Sequence, residues 1–275
     1  MIGFQSNLCY FLYSRKYYIC CMASVKTRYF LFLSYRGTNF HGWQIQPEAL
    51  TVQKTLDSAL SLILNEEIST VGAGRTDTGV HAITFCAHFD SNSPGLEDDK
   101  KLIFRLNRFL PPDIAIRSIR RVVPGASARY SAVSRTYEYY ISRIKDPFTD
   151  SSSWFIHGKI DVSVMNEACL LLMKHSDFTS FSRLHSDTKT NICRIYYANW
   201  TESENRLVFT IRADRFLRNM VRAVTGTMID AGSGRLDLKS FEEIILAKDR
   251  CRAGKSAPAK GLFLTDIEYP EDIFI

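Results

Sequence analysis

Apolar positions alternate along some stretches of the chain and recur at helical spacing along others. Residues 27–35, Thr-Arg-Tyr-Phe-Leu-Phe-Leu-Ser-Tyr, suit a buried strand, which Gly37 ends. From Thr51, read as an N-cap, Val52, Leu56, Ala59, Leu60, Ile63 and Leu64 repeat as one face of a helix. Residues 80–90 alternate, with His81, Ile83, Phe85, Ala87 and Phe89 on one face, which predicts a strand. Leu102, Leu106 and Phe109 mark the buried stripe of a second helix, with Asp98 and Asp99 at its positive end and Pro111-Pro112 as its stop. Ile114, Ile116 and Ile119 give a further strand, closed by Pro124-Gly125.

Composition shifts there, and the chain is divided at that point. The second part opens on an alternating segment, 128–141, that puts Arg135, Tyr137 and Tyr139 on one face, either a cationic aromatic surface or ordinary tyrosine packing. A helix capped by Ser163 is expected to bury Met165, Ala168, Leu171 and Leu172, and the polar loop Arg183 to Asn191 leads to a strand over Ile192 to Trp200. A helix is predicted from about Arg215 to Ala231. On it Arg215, Arg218, Asn219 and Arg222 fall on one side, and Leu217, Met220, Val221, Val224 and Met228 on the other. Its polar side has no acids at i,i+4 and calls for an anion, either a buried carboxylate or phosphates. A last helix near Asp237 buries Phe241, Ile244 and Ile245, and the strand Leu262 to Tyr269 ends the pattern. Both parts mix strands and helices, which permits two related α+β units, 26–124 and 125–275.

The count of 35 Lys+Arg against 29 Asp+Glu leaves a net +6 and favours an anionic partner. The 18 Phe, 13 Tyr and 3 Trp, interleaved with arginines, suit base stacking and phosphate binding. Seven cysteines without CxxC spacing argue against a disulfide framework and a zinc site, and make the cytoplasm the expected compartment. Arg15 and Lys16 interrupt the apolar first 21 residues, so neither a secretory signal nor a bilayer span is read there. Met22-Ala-Ser-Val-Lys reads as an ordinary start, and residues 1–25 are set apart as an N-terminal extension that is not expected to be translated before Met22.

The stretch that organises the rest is Gly72-Ala-Gly-Arg-Thr-Asp-Thr-Gly-Val-His-Ala82, whose three glycines permit tight turns and close backbone approach. A P-loop needs Gly-Lys-Ser/Thr, but Gly74 is followed by Arg75 and Thr76. The dinucleotide fingerprint fails because Asp77 stands where its third glycine belongs. The loop presents an acid, Asp77, although on the loop alone an Asp beside Gly most often caps a turn. Nearby, Phe40-His-Gly-Trp-Gln44 is a polar aromatic loop in which Trp43 and Gln44 either face a nucleobase or, for Trp43, plug the core.

These blocks, with Arg135-Thr-Tyr137, Asp177-Phe-Thr-Ser-Phe181, Phe216-Leu-Arg-Asn-Met-Val-Arg222 and Ala257-Pro-Ala-Lys-Gly-Leu-Phe-Leu264, occur in the order seen in the TruA-type tRNA pseudouridine synthases. The resemblance spans roughly residues 27 to 270. Thr78 stands where the family most often has Ala, and the block before Arg129 is looser than usual. It implies an α+β pseudouridine synthase fold of two ferredoxin-like (RRM-like) halves with an extended antiparallel sheet and a central basic cleft. It also implies a homodimer that binds tRNA and isomerises uridines of the anticodon stem-loop without metal or cofactor.

By the same resemblance Asp77 is the catalytic carboxylate, Arg222 its partner and Tyr137 the residue that stacks on the target base. Asp77 either attacks covalently or stabilises charge at C1′, and Tyr137 either only stacks or also helps remove the C5 proton. Arg75 resembles the residue that holds the flipped base out of its stack. Gly261 and Leu264 resemble the wall behind the uracil. Thr76, His81, Trp43 and Gln44 are grouped with the substrate contacts, and Arg129, Arg135, Arg215 and Arg218 are expected to meet phosphates. A non-catalytic tRNA-binding protein and a pseudouridine synthase acting on another RNA remain the alternatives, while a hydrolase has little support because no histidine lies in a triad or metal spacing.

Overall fold

A computed structural model describes residues 26–97, 99–183 and 190–275. The N-terminal extension, Asp98 and most of the loop from Arg183 to Asn191 lie outside the described residues. The first part of the chain forms β1 (Thr27–Tyr35), α1 (Val52–Leu64), β2 (Val71–Gly72), β3 (His81–Ser91), α2 (Lys100–Phe109) and β4 (Ile114–Arg121). The second forms β5 (Ser134–Ser142), β6 (Trp154–Phe155), α3 (Val162–Lys174), β7 (Ile195–Ser203), β8 (Arg206–Ala213), α4 (Met220–Gly232), α5 (Leu238–Ala247) and β9 (Leu262–Glu268).

The class is α+β, built on one large, mostly antiparallel sheet. Its order among the described residues is β4-β1-β3-β9-β5-β8-β7, with β2 paired to β3 and β6 to β5. The two parts of the chain join along a seam in the sheet, the short parallel pairing of β3 with β9 at His81 with Phe263 and Ala82 with Leu264, and an isolated bridge also links Val122 with Phe274. That seam opens immediately after the glycine loop. Asp77 is therefore delivered to the middle of the sheet.

Side chains collect in two hydrophobic clusters. One gathers β1, β3, β4, α1 and α2 around Phe30, Leu31, Leu56 and Phe85; the other gathers α3, α4, α5, β7 and β8 around Phe178, Trp200, Phe209 and Phe241. Strand β9 feeds both, giving Leu264 and Ile267, followed by Tyr269 just beyond its end, to the first and Leu262 to the second. The division proposed at residues 124 and 125 falls in the turn between β4 and β5, yet β9 packs across it.

Helix starts follow side-chain chemistry. Thr51 caps α1 by accepting from the Lys54 amide, Asp99 caps α2 and Asp237 caps α5. Helix α3 is capped by Asp161 and not by Ser163, because the Asp161 carboxylate reaches the amides of Ser163 and Val164 at once. In α2 the apolar stripe is narrower than the spacing predicts: Leu102 and Leu106 are buried, but Phe109, in the last turn, is 53% exposed. Strand β8 is absent from the sequence reading, although Leu207, Phe209, Ile211 and Ala213 alternate cleanly and are buried.

The largest difference is at α4. It begins at Met220, five residues later than the helical spacing predicts, because Asn219 takes a left-handed conformation with φ 67°. Upstream, the Asp214 carboxylate accepts from the backbone amides of Arg194 and Arg215 and holds this stretch out of the helix. Arg215 and Arg218 therefore sit on a loop, and only Arg222 is helical.

Candidate active site

The glycine loop is shaped by its neighbours' backbones. Ala73 donates its amide to the Cys86 carbonyl (2.8 Å), Val80 donates to Asp77 (3.1 Å), and the Trp43 amide reaches the Thr76 carbonyl (3.4 Å). Gly42, at φ +82°, lies so close that a Cβ there would be 2.3 Å from the Thr76 carbonyl oxygen. Gly37 is as tight, 2.0 Å from the Val80 carbonyl, and its amide donates to His81 Nδ1 at 3.1 Å. From below, the Tyr35 hydroxyl meets Thr76 Oγ1 at 2.9 Å. These contacts hold the peptides on either side of Asp77.

Across the seam, Arg222 Nη1 donates to Asp77 Oδ2 at 3.2 Å, and Arg218 Nε lies 3.8 Å from Oδ1. The two cations differ in how they are held. Arg222 is fixed at both ends, since its Nε donates to the Ala257 carbonyl (2.8 Å) while the Ala257 amide donates back to the Arg222 carbonyl (2.9 Å). Arg218 is 48% exposed and reaches the carboxylate only loosely, against 21% for Arg222.

Tyr137 lies on β5 opposite Leu264, with Phe216 set edge-on to its ring at 5.1 Å. Burial pushes its phenol up to about 12, with the Arg135 charge pulling the other way and Asp77 adding to the rise. At neutral pH the ring thus carries its proton and offers a flat face instead of a phenolate.

Other residues singled out by sequence divide into three groups. Arg75, Gln44 and Arg129 are exposed, the last with its guanidinium 5.4 Å from the Tyr130 ring centre. Arg215 and Thr76 are partly buried. Trp43, His81, Gly261 and Leu264 are inside. Trp43 is only 2% exposed and stacks on Phe85 at 4.2 Å, with Gly72 pressed against its ring, so its place is in the core and not beside a base. His81 stacks on Phe263 at 4.5 Å. Gly261 leaves room for the Tyr139 ring, 2.7 Å from where a Cβ would stand, and Leu264 backs Tyr137.

Arg135 is likewise turned inward, onto backbone carbonyls. Phe216, Ala257 and Asn219 lie within the sequence blocks, but the sequence assigns none of them a task at the site. Asn219 adopts the left-handed backbone and donates its side-chain amide to Ser256 at 2.7 Å, and an Asn in a run of helix formers was the available signal. Among the described residues no group of three or more His, Cys, Asp or Glu is placed to hold a metal ion, and no helix is long and apolar enough to cross a membrane.

A carboxylate and two arginines thus face each other across the central seam of one mostly antiparallel sheet, and comparison with known proteins gives the class. A family model described as tRNA pseudouridine synthase matches residues 168–270. The chain is 52% identical over 247 residues to tRNA pseudouridine synthase A of Parabacteroides distasonis, covering 90% of this chain and 98% of that one. It is 51% identical over 248 residues to the protein of the same name in Bacteroides fragilis, with the same coverage of 90% and 98%. It is 37% identical over 241 residues to that of Caldicellulosiruptor bescii, covering 87% and 98%. The chain belongs to the tRNA pseudouridine synthase family. Pseudouridine synthases are isomerases, and this protein is one.

Proposed function

We propose that the protein isomerises uridine to pseudouridine in the anticodon stem-loop of tRNA, with Asp77 as the catalytic nucleophile. The observation that carries this reading is the Asp77–Arg222 pair at 3.2 Å beside the partly buried Tyr137 ring. In the isomerisation the C1′–N1 bond breaks, the uracil turns, C1′ bonds to C5, the proton on C5 leaves and N1 takes one up. No atom is gained or lost. A carboxylate at the sugar–base junction serves this either by bonding covalently to the nucleoside and leaving again, or by balancing positive charge at C1′.

Each neighbour has a task in that scheme. Arg222 pairs with the carboxylate and keeps it aimed once RNA excludes water. Tyr137, with a phenol that retains its proton, stacks on the uracil. Arg75, exposed on the loop beside Asp77, enters the duplex and holds the target nucleotide out of its stack. Arg215, Arg218 and Arg129 meet phosphates, which suits the net +6 charge. The enzyme works as a homodimer in the cytoplasm; the free thiols of Cys86, Cys169, Cys193 and Cys251 accord with a reducing compartment.

The test is incubation of purified protein with uridine-labelled, unmodified tRNA, with and without Asp77→Ala, mapping pseudouridine at each position. Pseudouridine confined to the anticodon arm and abolished by the substitution is expected. Binding of tRNA should survive, because phosphate contacts dominate affinity. A wild-type protein that binds tRNA and leaves every uridine unchanged would instead be an RNA-binding relative without the activity.

A further inference from the structure

Arg135 lies two residues before Tyr137 on β5. Sequence spacing and family resemblance mark it as a cation for phosphate, yet its guanidinium is occupied. Nη1 donates to the carbonyls of Ala132 (3.2 Å) and Asp214 (2.7 Å), and Nη2 to those of Ala73 (3.3 Å) and Arg129. An arginine carries four hydrogens on these two nitrogens, and all four are used. None of these four acceptors is a carboxylate.

The four carbonyls belong to three separate segments. Ala73 is in the glycine loop, four residues before Asp77. Arg129 and Ala132 are in the turn that leads into β5. Asp214 directly follows β8 and begins the loop that carries Arg218 and leads to Arg222. The strand bearing Arg135 also bears Tyr137. We infer that Arg135 is a positioning residue, a central cation that ties the glycine loop, the 129–132 turn and the 214–222 segment to β5 and so sets Asp77, Arg222 and Tyr137 relative to one another.

No other side chain could do this in the same way. A lysine has its three donors on one nitrogen, at one point in space, and cannot serve four carbonyls arranged around a planar fork. A phosphate ligand, by contrast, needs only the charge. The two roles therefore give opposite outcomes for Arg135→Lys.

This inference rests on the proposed reaction, and its test separates the two. Wild type, Arg135→Lys and Arg135→Ala are compared by single-turnover kinetics on unmodified tRNA, by tRNA affinity as a function of salt, and by amide hydrogen exchange of the protein alone. As a positioning residue, Arg135→Lys lowers the single-turnover rate on the order of 10–100-fold, the scale of a roughly 1 Å misplacement. Its Kd and salt slope stay near wild type. Exchange accelerates in peptides spanning 72–80 and 213–219 and not in α1 or α3.

Unchanged turnover and exchange in Arg135→Lys, with weaker binding and a salt slope shallower by about 0.7–0.9 in Arg135→Ala, would overturn the inference in favour of a phosphate contact. Should the alanine variant fail to fold, the lysine variant and the exchange data decide alone. If wild type makes no pseudouridine, the proposed reaction fails, while faster exchange confined to the named peptides still supports Arg135 as the tie.

Discussion

Between Gly72 and His81 the loop that carries Asp77 has no regular structure, whereas helix α4, which carries Arg222, buries eleven of its thirteen residues. The loop is held from outside, by the backbones of Gly37, Phe40 and Gly42 and by the hydroxyl of Tyr35. The helix is held from within, by its own hydrogen bonds and by packing against α3 and α5 in the second cluster. Such a difference suits the tasks proposed for the two sides. An acid that must approach a flipped nucleotide needs an open ledge, and an open ledge cannot be stabilised by burial, so close backbone contacts do it instead. The cation that supports the acid has no need of access, and its position follows from a buried helix.

The contrast can be tested most severely with two glycines. Gly42→Ala combines a left-handed φ of +82° with a Cβ 2.3 Å from the Thr76 carbonyl. It should cost about 1–3 kcal/mol of strain and shift the Thr76–Asp77 peptide, so turnover should fall by at least about 100-fold in a protein that still folds. In α4, Gly226→Ala would by helix propensity add up to about 1 kcal/mol of stability. Its Cβ, however, would stand 1.8 Å from the Lys255 carbonyl. The segment that grips Arg222 through Ala257 would have to move, and stability and turnover should fall together. Urea midpoints and single-turnover rates measured on both variants decide the matter. A more stable Gly226→Ala protein would show that the close approach is not required.

A smaller effect is expected at the cation. Arg222→Ala removes a charged donor from Asp77 and another from the Ala257 carbonyl. Hydrogen bonds to charged groups contribute about 1.5–3 kcal/mol, which is roughly 10- to 100-fold in rate. Arg222→Lys keeps the charge but cannot donate to both partners from one planar group, and an intermediate loss is expected. Equal rates for the lysine variant and wild type would reduce the role of Arg222 to charge alone and weaken the contrast between a fixed cation and a loose one.

Much of this arrangement was legible in the sequence, and the misses share a cause. Local signals carried through: Thr51, Asp99 and Asp237 cap helices, and the alternation of β3 and the apolar run of β1 form strands. Asp77 and Arg222 were picked out by motif, and the structure places them 3.2 Å apart. Signals that depend on distant partners did not carry through. Helical spacing ran on to Arg215, since periodicity cannot register that Asp214 binds the Arg194 amide or that Asn219 turns left-handed. For Trp43 the sequence leaves a base contact and a core plug both open, because it does not reveal that Gly72 and Phe85 close over the ring. Arg135 looked like a phosphate ligand because charge is visible in a sequence and four backbone carbonyls are not.

The smallest expected effect concerns Arg218, and it sharpens the comparison within the cationic segment itself. Arg218 lies before the helix, is 48% exposed and stands 3.8 Å from Asp77 Oδ1, so its pairing with the carboxylate resembles a surface ion pair. Such pairs contribute roughly 0–1 kcal/mol. Arg218→Ala should therefore slow the chemical step by no more than about fivefold. If its larger task is a phosphate, the substitution should also weaken tRNA binding and reduce the salt slope by about 0.7–0.9. Arg222→Ala should show the reverse division, a slow step with near-normal binding. Rate and affinity measured on the same tRNA at several salt concentrations separate the two. A collapse of turnover in Arg218→Ala equal to that in Arg222→Ala, with binding intact, would mean that both arginines act on Asp77 alike and that helical support is not what distinguishes them.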